Sequence, residues 1–140
     1  MVKVITFLIM SVCSFATMAA SVDCDKAFNT LEINYCAKVE LDQAEAEMKL
    51  YLDKSIAQYI ADTHVVESIN IAQSAWQSYS KSQCDSVFTM FRDGSLRVVM
   101  TLSCRTKLTQ QRTYELWSQY LTYMDSSAPV LPEPTASDLS

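Results

Sequence analysis

The sequence predicts an all-α protein, an antiparallel three-helix bundle built around a disulfide-stapled αα-hairpin. Three observations predict it. Neither glycine nor proline occurs between Asn29 and Asp93, Gly94 is the only glycine in the chain, and Cys84 and Cys104 flank it at similar distances. A long stretch free of both helix breakers favours helix, and Asp93-Gly94-Ser95 interrupts it with a turn. Residues equidistant from the turn of an αα-hairpin face each other, so a Cys84–Cys104 bridge is expected. Closing a loop of about twenty residues contributes roughly 3 kcal/mol, a large share of a small domain's stability. No strand-like alternation of useful length and no internal repeat compete with this reading.

The chain opens as a secretory signal peptide, residues 1–20. A single early cation, Lys3, precedes the apolar run from Val4 to Met10, and the small residues Ala16, Ala19 and Ala20 place cleavage after Ala19 or Ala20. The apolar core is too short for a membrane span, and no second hydrophobic span follows. Met10-Ser11-Val12-Cys13 fits a lipid-attachment box poorly, so a soluble mature protein in the periplasm is expected. Cleavage removes Cys13 and Lys3. Five cysteines become the even set Cys24, Cys36, Cys84 and Cys104, and the net charge moves from −5 to about −6. Four cysteines in an exported domain read as two disulfides. Sequence alone does not separate the three possible pairings; local closure favours Cys24–Cys36 with Cys84–Cys104.

The helical domain is expected over residues 21–124. Asn29 or Thr30 caps the first helix, whose buried stripe runs from Leu31 through Ala37, Leu41, Ala44 and Met48 to Tyr59 at spacings of three and four. Acids such as Glu32, Glu40, Asp42 and Glu45 lie off that stripe and form a solvated face. Asp62 or Thr63 caps the second helix, with an aromatic stripe that includes Trp76 and Tyr79. Ser95 caps the third, whose apolar positions begin at Val98, Val99 and Leu102 and end at Leu116, Trp117, Tyr120 and Met124. Residues 125–140, with three prolines and no periodicity, predict a Pro/Ser-rich disordered tail.

Composition and motifs argue against catalysis. His64 is the sole histidine and sits at a helix boundary, so no His-based triad assembles away from it. The mature cysteines belong in bridges, and no phosphate loop, metal motif or dinucleotide fingerprint is present. No enzyme activity and no cofactor are therefore expected. The acidic balance disfavours nucleic acid and anionic membrane surfaces and suits a cationic partner. Arg112, among apolar neighbours, is expected to fork onto a carboxylate or backbone carbonyls inside the domain. The candidate partner-binding surface is the hairpin tip, Phe91, Arg92, Asp93, Gly94 and Ser95, which protrudes and is held by the disulfide behind it.

The hairpin also carries a family pattern. Gln73-x-x-Trp76-x-x-Tyr79, then Cys84, a Gly-Ser loop, and Cys104-x-x-x-Leu108-Thr109-x-x-Arg112-Thr113-x-x-Leu116 resemble the LprI-like lysozyme inhibitors, and Asn34-x-Cys36-Ala37 is similar to that family's first cysteine motif. The likeness spans Cys24 to Leu116. Departures fall on polar positions. Glu45 and Met48-Lys49 stand where the family usually has Asp and then Leu-Asn, Ser80 stands for the arginine after the tyrosine, and Asp93-Gly94-Ser95 replaces Gly-Gly-Ser. The resemblance implies a small periplasmic binding protein that protects peptidoglycan by binding a muramidase; the protruding polar tip is the part expected to enter that enzyme's cleft. Two alternatives stand beside it: an immunity protein against a secreted peptidoglycan-degrading toxin, and an envelope helical module that inhibits nothing.

Overall fold

The computed structural model describes residues 22–134; the expected signal peptide, residues 1–20, lies outside them. A 3₁₀ turn, Cys24–Lys26, leads into α1 (Thr30–Gln58), α2 (Thr63–Met90) and α3 (Arg97–Leu116), and α3 runs on into a π-helical turn, Trp117–Leu121. The described residues contain no strand. Local chemistry sets the helix starts. The Asn29 side chain accepts from the Glu32 amide at 3.0 Å while Glu32 reaches back to the Phe28 amide at 3.2 Å, a reciprocal cap. Asp62 accepts from both His64 and Val65. The expected Ser95 cap is not formed. Leu96 holds the N-cap position of α3 without a side-chain hydrogen bond, because the turn closes earlier, through Gly94 N–H to the Phe91 carbonyl at 3.0 Å.

The three helices form the expected antiparallel bundle, with α3 as its shared member. α3 packs along both α1 and α2, whereas α1 and α2 scarcely meet. Cys84 faces Cys104 and Gln73 faces Arg112, so α2 and α3 are antiparallel. Gln58 at the end of α1 reaches Tyr123 beyond α3, so these two run the same way. Serving two neighbours explains the composition of α3. Its buried residues are Thr101, Thr106, Thr109, Arg112, Thr113 and Leu116. The hydroxyls of Thr101, Thr106 and Thr113 donate to carbonyls one turn back in their own helix. Each threonine therefore meets its neighbour with a small, largely satisfied surface, and the helices approach closely.

This corrects the expected apolar stripe of the third helix, from which Val98 and Met124 are exposed. The first two stripes also shift. Leu31 is 82% exposed, since it lies in the first turn of α1, and Tyr79 is 55% exposed because α2 buries one narrow face only. The core centres on Met48, Tyr51, Leu116 and Leu121, with Trp76, Trp117 and Tyr120 packed around it.

Residues 125–134 are the described part of the stretch expected as a Pro/Ser-rich disordered tail. They return as a strap: Val130 N–H donates to the Leu121 carbonyl at 2.8 Å, Tyr51 Oη–H to the Pro132 carbonyl at 2.8 Å, and Trp117 Nε1–H to the Leu131 carbonyl at 3.0 Å. Leu131 joins the core cluster. Residues 135–140 lie outside the described part of the chain.

The disulfides pair as local closure favours. Cys24–Cys36 ties the 3₁₀ turn to α1, and Cys84–Cys104 ties α2 to α3, with Cα separations of 5.6 and 5.7 Å. Replacing Cys84 and Cys104 together by alanine is expected to lower unfolding free energy by about 3 kcal/mol, read by urea titration. Tyr51 supplies a pH signature. Burial, and next the nearby Glu47 carboxylate, push its phenol above the ordinary value of 10.0. The native state thus favours the protonated phenol, whose contribution is complete below that ordinary value and is lost as pH rises through the folded one. Thermal stability should fall more steeply above about pH 10 in the natural chain than in Tyr51→Phe.

Candidate functional site

The hairpin tip is displayed and braced. Phe91 is half-buried, while Arg92, Asp93, Gly94 and Ser95 are exposed, the Asp93 side chain to 90%. Arg92 Nε lies 3.6 Å from Asp93 Oδ2, and Arg97 Nη1 donates to the Arg92 carbonyl at 3.4 Å. The Arg97 guanidinium also stands 5.5 Å from the Phe88 ring centre, joining the two flanks of the hairpin above the disulfide. Gly94 does not occupy the left-handed region, and a Cβ there would meet the Phe91 carbonyl at 3.6 Å, ordinary contact. The tip conformation therefore does not depend on glycine.

Below the tip the staple is flanked by charge. Asp85 takes Lys81 at 2.5 Å and Arg105 at 3.7 Å. The hydrogen bond from Lys81 holds the Asp85 carboxyl below its usual range, and the charges of Lys81 and Arg105 add to that. At its very end the hairpin carries Arg92, Arg97 and Asp93. The acidity of the chain is thus not concentrated at the tip; it lies largely along α1, with Glu40, Asp42, Glu45 and Asp53 exposed.

Because α1 and α2 diverge over α3, a groove of about 580 Å³ opens between them. Met48, Leu52 and Trp76 give it an apolar wall, and Glu45, Lys49, Lys81 and Arg105 a charged rim. Gln73 forms its floor and links the three helices. Its Oε1 accepts from Arg112 Nε at 3.0 Å on α3, and its Nε2 lies 3.7 Å from Met48 Sδ on α1. Arg112 also donates from Nη1 to Glu115 at 2.9 Å, while Nη2 is buried without a partner among the described residues. The expected Arg112 fork onto a carboxylate is not formed: Nη1 alone meets one, and Nε rests on an amide that apolar periodicity passes over. The tip and the groove are separate surfaces; Phe91 to Ser95 contribute nothing to the groove lining.

Buried charge makes Gln73 a sensitive position. Gln73→Leu removes the acceptor of a guanidinium that is 8% exposed, and should cost about 2–4 kcal/mol in urea unfolding. Glu115→Gln, which alters the half-exposed partner, should cost under about 1 kcal/mol.

Comparison with known proteins places this geometry. The family described as lysozyme inhibitor LprI matches residues 24–116, which contain both disulfides, the tip, Gln73 and Arg112. An uncharacterized protein of Rhizobium meliloti (strain 1021) is 31% identical over 105 residues, covering 67% of this chain and 76% of that protein. No solved structure matches the chain. With the family's stretch running from the first bridge to the end of α3, the chain belongs to the LprI lysozyme inhibitor family.

Proposed function

We propose that the mature protein works in the periplasm as an inhibitor of a lysozyme-type muramidase, binding it through the hairpin tip. The observation that carries the reading is the family's match over residues 24–116. The tip is favoured as the contact for physical reasons. A loop braced by Cys84–Cys104 and by the Arg97–Phe88 contact loses little conformational freedom when a partner closes around it. Asp93 and Ser95 are exposed and fit the role of polar groups offered to the catalytic carboxyls of a muramidase or their hydrogen-bond partners. The acidic length of α1 supplies the long-range attraction to a cationic enzyme, which speeds encounter more than it tightens the complex. The protein itself transforms no substrate in this reading.

The test is a muramidase assay with the mature protein at low and physiological salt. Stoichiometric inhibition should weaken as salt rises. Asp93→Ala combined with Ser95→Ala should weaken it about tenfold or more, the equivalent of roughly 1.4 kcal/mol. Both positions are exposed, so the double variant should keep its stability. Undiminished inhibition by that variant would remove the tip from the mechanism. Capture of one peptidoglycan-degrading toxin, without inhibition of any lysozyme, would shift the role to immunity.

A further inference from the structure

We infer that the groove between α1 and α2 is a binding site for a small organic acid with an apolar body, whose carboxylate displaces the Gln73 amide and takes the half-filled edge of the Arg112 guanidinium. The inference does not rest on the proposed inhibition, which uses the hairpin tip. A guanidinium carries Nε and Nη2 along one edge, spaced to meet the two oxygens of a carboxylate. In Arg112 that edge meets an amide instead. Nε donates to Gln73 Oε1 at 3.0 Å, and Nη2 is buried without a partner among the described residues. A single amide oxygen thus stands where two carboxylate oxygens fit, against a side chain that is only 8% exposed. A buried donor left in this state favours any acceptor that can serve both nitrogens.

Gln73 is also the point at which the groove and the guanidinium meet. Its side chain forms the groove floor, so the amide has open space to turn into. Its second contact is from Nε2 to Met48 Sδ at 3.7 Å, and a thioether is a weak acceptor. The Cys84–Cys104 bridge holds α2 on α3 while the amide turns. The space above the floor is about 580 Å³, within the range of small-molecule sites. Met48, Leu52 and Trp76 give it an apolar wall. Its charges favour an anion: Lys49, Lys81 and Arg105 line it against Glu45 alone, in a chain of net charge −5. Asp53 and Asp85, the partners of the two lysines, stand outside the lining. Glu115 keeps Nη1, and the lining cations balance the second carboxylate. The ligand therefore lies with its carboxylate on Arg112 and its apolar body against Trp76.

The experiment titrates isotope-labelled mature protein with hydrocinnamate and, separately, with its neutral isostere hydrocinnamamide. The Arg112 Nε–H, Gln73 amide and Trp76 indole N–H signals are followed by NMR. Saturable shifts of all three are expected with the acid, and binding at least about tenfold weaker with the amide. Gln73→Glu supplies the carboxylate from within the chain and should weaken binding of the acid by at least about tenfold. Equal binding of acid and amide, undiminished binding to Gln73→Glu, or no saturable shift with the acid would overturn the assignment. Should Gln73→Glu lose its helical circular dichroism, the natural chain decides. The Arg112 Nε–H signal must then move along the same binding curve as the Trp76 indole; an acid that shifts Trp76 and leaves Arg112 unmoved would end the proposal.

Discussion

Everything in this fold depends on α3 being narrow where two other helices press on it. A shared helix cannot carry large apolar side chains on both faces without pushing its neighbours apart, since interiors pack at close to crystal density. Thr101, Thr106, Thr109 and Thr113 solve the problem. They are small and β-branched, and at three of the four sites the hydroxyl is returned to the helix's own backbone. The burial this forgoes is recovered at the carboxyl end, where Leu116 and Leu121 are fully enclosed among the aromatic side chains. The bundle is therefore held by apolar packing at one end and by sulfur nearer the other.

Between those ends sits the ion-dipole link of Arg112 and Gln73. α1 and α2 hardly touch, so their spacing is set through α3, and Gln73 touches both other helices at one point. A buried guanidinium needs acceptors in fixed directions, and that directionality selects one rotational setting of α2 on α3 more sharply than the threonine surfaces could. The Cys84–Cys104 bridge fixes the same pair of helices closer to the turn. Two constraints along one interface define its register and leave the tip as a rigid projection.

Much of this was legible from the residues alone. The glycine- and proline-free run gave the helices, the single Gly94 located the turn, and cysteine spacing around it gave the bridge. Asn29 and Asp62 were readable as caps because their side chains act within three residues. Three features were not readable from periodicity, each for a physical reason. Most of the core face of α3 is polar by composition, so a search for apolar residues found Leu116, Trp117 and Tyr120 at its carboxyl end and passed over the threonines; the Leu-Thr-x-x-Arg-Thr pattern held the signal without saying which way it faced. Gln73 looked like any helical glutamine until Arg112 was placed opposite it. The strap looked disordered because its hydrogen bonds come from Tyr51 and Trp117, distant in sequence and indistinguishable there from ordinary core aromatics.

The tip and the strap lie towards opposite ends of α3, roughly 30 Å apart for a helix of 20 residues. Asp93 and Ser95 at the tip are therefore far from Trp117 and Tyr51, which hold the strap. Coupling between them would require α3 to have two stable settings, since an effector shifts an equilibrium only by its differential affinity for two states. The bridge at Cys104 and the Gln73 bond at Arg112 both stand between the two ends and hold the same setting. A fixed spacing is the physical consequence: α3 carries the loop at one end and the strap at the other and holds both in one setting.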